Sequence, residues 1–172
     1  MATDRKFAAF SKKAVPPRMK KMPDGGMCIS AFVIVSKRGD PGRVLMGKIN
    51  ANANWDHIGA LDTKRAARVS AGWMLPSSHL MLYEAPEGAA RRILREQLSI
   101  KDMKLSGPLT FVDTSGVENH WDIGFIFLGD RDTLPKNGAW RELAFVHPKD
   151  VGGEVVRSQL DVLAYAGKLG QE

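Results

Sequence analysis

The sequence predicts an α+β fold, with a mixed or mostly antiparallel sheet between helices. Three observations lead there. Apolar, β-branched segments occur on both sides of one strongly amphipathic helix. A second segment with helical spacing lies near the C-terminus. Evenly spaced crossover units are missing, and so is a G-x-G-x-x-G fingerprint, which argues against a doubly wound nucleotide fold.

Residues 1–26, "MATDRKFAAFSKKAVPPRMKKMPDGG", read as a basic N-terminal arm. Its cations are Arg5, Lys6, Lys12, Lys13, Arg18, Lys20 and Lys21, interrupted by Val15-Pro16-Pro17. The arm is either a solvated tail or a segment that folds onto the domain or onto a phosphate-rich partner. It is expected to be dispensable for the fold. If it grips RNA, that binding falls steeply with salt.

Residues 27–172 read as one domain. Met27–Lys37, "MCISAFVIVSK", is β-branched and bounded by Gly25-Gly26 and by the turn "RGDPG", so it reads as a buried strand. "RVLMGKI" after the turn completes a hairpin. Asn50–Gly72 is longer and less regular, and connections of this length are usually functional or disordered. "LTFVDT" and "WDIGFIFLG" read as further strands; Ile123, Phe125 and Phe127 alternate with period two. "ELAFV" is a short strand ended by Pro148. From Gly153 to Leu169, Val156, Leu160 and Leu163 have helical spacing.

The central helix opens at Pro86, whose fixed φ suits a first turn, with Glu87 complementing the helix dipole. At 100° per residue Ala89, Ala90, Ile93, Leu94, Gln97 and Leu98 share one half of the wheel. Arg91, Arg92, Arg95 and Glu96 share the other. Gln97 therefore falls inside the apolar arc and Glu96 at its border.

This segment resembles the Nudix box, G-x₅-E-x₇-R-E-U-x-E-E-x-G-U, over Ser78–Ile100. Ser78 takes the first Gly, Glu84 the first Glu, Arg92 the Arg, Ile93 the next Glu and Leu94 the aliphatic. Glu96 keeps one metal-site Glu, Gln97 replaces the other, Ser99 replaces the second Gly, and Ile100 is the final aliphatic. "GWMLP" upstream resembles the family's W-x-x-P entry, and Ala89-Ala90 its small pair. The resemblance implies a Nudix-like α/β/α sandwich with a mixed sheet between helices.

It also implies a site. In the family three Glu at i, i+3 and i+4 of this helix hold Mg²⁺ or Mn²⁺, which shields a diphosphate and activates water. Here that triplet is Ile93, Glu96 and Gln97, so the box is degenerate. Glu96 is the remaining metal ligand and catalytic candidate, and Gln97 a weak ligand through its amide oxygen. Mg or Mn is therefore expected to bind weakly if at all. Glu84 and Arg92 keep both members of a structural ion pair. Glu118 and Glu142 are candidate bases from later segments. Ser77, Ser78 and His79 at the box mouth, with Trp55 and His57 of "NWDHIG", are candidate substrate contacts; each has a plain alternative in turn filling, solvation or packing. If Ser77-Ser78 forms the tight turn of the family's loop, its dihedrals must tolerate a side chain.

The balance of 25 basic and 19 acidic residues gives +6, which favours anionic partners. No apolar run approaches the roughly 18 residues of a membrane helix, and the N-terminus has no signal-peptide stretch, so no membrane partner and a cytoplasmic location are expected. Cys28, the single cysteine, reads as a small core residue. The leading expectation is a Nudix-fold protein that binds a nucleotide-like, nucleoside-diphosphate-type ligand with weak or no pyrophosphohydrolase activity. The alternatives are an active Mg/Mn-dependent hydrolase recruiting other carboxylates, and a non-catalytic RNA-binding or assembly module using the arm.

Overall fold

A central strand buried on both faces organises the molecule. In the computed structural model, which describes residues 5, 7, 9–10, 26–113, 120–155 and 159–167, β1 is Ala9–Phe10, β2 Gly26–Lys37 and β3 Asp40–Ile49. The long connection then forms two short helices, α1 (Trp55–Gly59) and α2 (Thr63–Val69). Next come β4 (Ser77–His79), α3 (Pro86–Leu98), β5 (Ser106–Asp113), β6 (His120–Arg131) and β7 (Trp140–Val146). Two 3₁₀ turns, Pro148–Asp150 and Gly152–Glu154, lead to α4 (Gln159–Tyr165).

The sheet is mixed. Its order is β5-β6-β2-β3-β7, with β1 and β4 also paired to β2. β2 runs parallel to β6 along its whole length. Its other edge is divided among three antiparallel partners. Met27 and Cys28 face β1, Ser30 to Phe32 face β4, and Ser36 and Lys37 face β3. Past Ser36 the hairpin strands splay apart, and the segment entering the box fills the gap.

Alternation along β2 explains its unbroken apolar run. Ala31, Val33 and Val35 join Ile93, Leu94 and Leu98 of α3 in one core. Phe32 and Ile34 point the other way and meet Val162 and Leu163 of α4. The layers are thus α3 with α1, sheet, then α4, an α/β/α sandwich. Period two sends successive side chains into different cores, so each position must be apolar.

Helix α3 starts at Pro86 and carries Glu87 in its first turn. It ends at Ser99, in the left-handed conformation (φ 55°), where the Ser99 and Ile100 N–H groups cap the carbonyls of Arg95 and Leu94. Ser99 stands where the box pattern has its second Gly. The helix end still demands a left-handed residue, and a serine here adopts it against its own preference. Among the described residues no helix is long and apolar enough to cross a membrane.

Candidate functional site

The box triplet is built for packing. Ile93 is completely buried. So is Gln97, whose amide is fully used by the backbone. Its Nε2 donates to the carbonyls of Ile58 and Ser77, each at 2.8 Å, and its Oε1 accepts the Ser77 N–H at 3.2 Å. Gln97 thereby staples α1 and β4 to α3. This corrects the expectation that Gln97 is a weak metal ligand: its oxygen faces an N–H donor, and its two donors face carbonyls.

Glu96 is held elsewhere. The guanidinium of Arg5 grips its carboxylate with two bonds, Nη1 to Oε2 at 2.8 Å and Nη2 to Oε1 at 2.9 Å. Nη1 also donates to the His57 carbonyl at 2.8 Å. Burial works against the charge on Glu96, but the Arg5 hydrogen bonds and the fields of Arg5, Arg92 and Arg95 outweigh it. The carboxyl therefore sits below the usual glutamate range. Arg5 is raised in turn, chiefly by its hydrogen bond to Glu96.

The structural pair is present. Arg92, buried at 2% exposure, donates from Nε and Nη2 to the two oxygens of Glu84, both at 2.8 Å. It also reaches the His79 carbonyl at 2.9 Å and Ser78 Oγ at 3.3 Å. Glu84 accepts the Met81 N–H at 2.9 Å. For Glu84 too, burial opposes the charge, while the Arg92 hydrogen bond, the Met81 N–H and the fields of Arg92 and Arg5 hold the pKa low. A planar fork on a planar carboxylate is the geometry in which arginine exceeds lysine.

Several predicted contacts move to other roles. Trp55 is 1% exposed, packs edge-on against Trp140 with ring centroids 5.0 Å apart, and gives its indole N–H to the carbonyls of Asn50 and Ala139. This corrects its assignment as a ligand-stacking residue, because both its faces and its donor are used internally. Gly59 makes room for it: a Cβ there would stand 2.5 Å from the Trp55 ring. Ser77 and Ser78 form strand β4 and not a tight turn, which is why a serine is tolerated where the family places a glycine. Both are buried. The cavity they border with Ser30, His79, Asp122 and Gln159 measures about 20 Å³, room for about one water and not for a nucleotide. His57 contributes its carbonyl to Arg5. Glu142 is exposed on β7, 3.8 Å from Lys48, and belongs with that cation and Glu154 rather than with Glu96. Glu118 lies outside the described residues.

The structure adds residues that the sequence does not reveal. Phe7 forms a bridge with Met81, meets the His79 ring edge-on at 6.4 Å, and lies under the Arg92 guanidinium at 6.0 Å. With Arg5 and β1 it seats the described part of the arm on the box, and of the readings open for the arm these contacts support folding onto the domain. Asn137 donates to the Glu96 carbonyl at 3.0 Å and to Ser99 Oγ at 2.9 Å, bracing the end of α3.

These residues do not fit a divalent cation. Ile93 offers no donor atom, the oxygen of Gln97 is taken, and Glu96 already carries a cationic partner. Among the described residues no three His, Cys, Asp or Glu side chains converge on one point.

No family model matches the sequence, and no curated protein matches it. Solved structures match its fold. The NUDIX domain of Shewanella oneidensis NrtR, complexed with ADP ribose, is 13% identical; the match covers 90% of this chain and 92% of that one at a TM-score of 0.57. The dihydroneopterin triphosphate pyrophosphohydrolase of E. coli is 14% identical, over 82% of this chain and 94% of that one, at 0.55. A MutT NUDIX hydrolase from Burkholderia pseudomallei is 15% identical, over 81% and 97%, at 0.51. The chain has the Nudix fold.

Proposed function

We propose that this chain is a Nudix-fold protein that binds a nucleoside-diphosphate-type ligand and hydrolyses it weakly or not at all. The observation that supports this is the state of the helix triplet. A hydrolase working through this helix needs converging carboxylates to hold a metal and lower the pKa of the attacking water. Ile93 is packed, Gln97 is bound to backbone, and Glu96 is held by Arg5. The ligand class is suggested by the NrtR domain, which has the same fold and is complexed with ADP ribose, and by the net charge of +6. A hydrolase recruiting another carboxylate gains no support from Glu142, which faces Lys48.

The test is ADP-ribose with the full chain in Mg²⁺ and in Mn²⁺, following binding by calorimetry and products by chromatography. Expected is saturable binding with turnover at least about a thousandfold below the ordinary enzyme range of about 1–10³ s⁻¹. Turnover within that range, or no ADP-ribose binding, would overturn the reading.

A further inference from the structure

Arg5 lies 91 residues from Glu96 in the chain, yet its guanidinium takes both oxygens of that carboxylate. Its placement is secured from several sides. The His57 carbonyl takes one of its N–H groups. Two residues on, Phe7 is fixed against Met81, His79 and Arg92, and then Ala9 and Phe10 pair with Cys28 and Met27.

The charges around the contact also matter. Arg92 is spent on Glu84, His79 and Ser78. Arg5 and Arg95 flank Glu96, Arg95 at 3.8 Å and largely exposed. Two positive charges against one negative leave this patch cationic. Arg5 places three of its contacts on Glu96 and His57, out of the five N–H donors a guanidinium carries. Its side chain remains partly open to solvent, at 17%. A guanidinium in that setting recognises phosphate oxygens through charge-assisted hydrogen bonds without any metal.

We propose that Arg5 replaces the divalent metal of this site: it neutralises Glu96 and faces the diphosphate of the ligand, so that recognition needs the N-terminal arm and no metal ion. The inference rests on the non-hydrolytic binding reading and deepens it. The arm becomes part of the binding site, and the retained box glutamate becomes the residue that positions the arm.

The full chain, Arg5→Gln and Arg5→Lys are titrated with inorganic pyrophosphate by calorimetry, in EDTA and in Mg²⁺, with thermal melts as a control for folding. The parent should bind with the same affinity in both buffers. Arg5→Gln should bind about tenfold more weakly or worse, and Arg5→Lys should lose less, because it keeps the charge but not the planar fork. A readout that a purely structural role would not move is the Arg5 Nε–H signal in NMR, which should shift when pyrophosphate is added to the parent in EDTA. Pyrophosphate binding that requires Mg²⁺, undiminished affinity in Arg5→Gln, or no pyrophosphate binding in either buffer would each overturn the inference. If Arg5→Gln fails to fold, undiminished affinity in both buffers for Arg5→Lys, with the parent's Arg5 signal unmoved by pyrophosphate, would do the same. ADP-ribose bound only with Mg²⁺ and left intact would overturn this inference alone. ADP-ribose hydrolysed at an ordinary enzymatic rate would instead overturn the reading beneath it.

Discussion

Replacing Gln97 by glutamate restores the box residue at this position and tests whether the site has been filled in. The change removes two N–H donors. The carbonyls of Ile58 and Ser77 each lose a 2.8 Å partner, and a carboxyl oxygen now confronts them. Each carbonyl left without its donor costs about 1–3 kcal/mol, so Gln97→Glu should destabilise by about 2–6 kcal/mol. The charge adds a pH dependence. A fully buried carboxyl without a cationic partner has its pKa raised in the folded state. Between the unfolded value, about 4.3, and that raised value, the unfolded chain binds fewer protons than the folded one. Stability of the variant relative to the parent should therefore fall as pH rises through this window. The assay is urea denaturation of parent, Gln97→Glu and Ile93→Glu/Gln97→Glu between pH 4.5 and 8, with and without Mn²⁺. A variant as stable as the parent, or a double variant stabilised by Mn²⁺, would refute the argument that Ile93 and Gln97 serve packing.

Arg92→Ala should cost more than Glu84→Gln: about 3–5 kcal/mol, because it leaves a partly buried carboxylate with the Met81 N–H as its remaining donor, against about 1–3 kcal/mol; equal melting temperatures for all three proteins would remove the structural role of the pair. Because Glu84 and Glu96 both titrate below the usual glutamate range in the fold, their contribution is complete above about pH 4.3 and is lost as pH falls through the lower folded values. Arg5→Gln should flatten the Glu96 part of that acid limb in denaturation measured from pH 6 downward, and an unchanged limb would contradict it. Ser99→Gly should relieve the left-handed strain at φ 55° and raise stability by up to about 1 kcal/mol, less whatever the Asn137 bond to Ser99 Oγ contributes; a large loss in thermal melting would show that the bond outweighs the strain.

What the sequence conveys here depends on how local the cause is. β2, β3 and β6 are readable because burial on one or both faces writes itself into an apolar run, and α3 because Pro86 and the Ala89–Leu98 arc are contiguous. The Glu84–Arg92 pair is readable through the box spacing. β4 is not: Ser77, Ser78 and His79 are polar, and they form a strand because β2 and β3 splay apart around them. For Trp55 the sequence leaves stacking on a ligand and packing both open, and the pocket formed by Gly59 and Trp140 decides for packing. The hold of Arg5 on Glu96 leaves no local trace. The run "DRKF" belongs to a basic stretch that an arm of any function would have, and its seat on the box is seen only where Arg5 and Phe7 meet Glu96, Met81 and His79.

The gap between β2 and β3 has a dynamic consequence. From Pro76 to Leu80 the chain entering the box is not a free loop. The Pro76 carbonyl accepts the Val33 N–H, and the Leu80 N–H donates to Ile29, both at 2.9 Å, with three paired residues between them. These bonds belong to the middle of the sheet, where opening approaches global unfolding. The amides paired here should exchange with solvent on the slow scale of the core strands. The segment entering the box is thus a rigid floor beneath Phe7, which bridges to Met81 and meets the His79 ring.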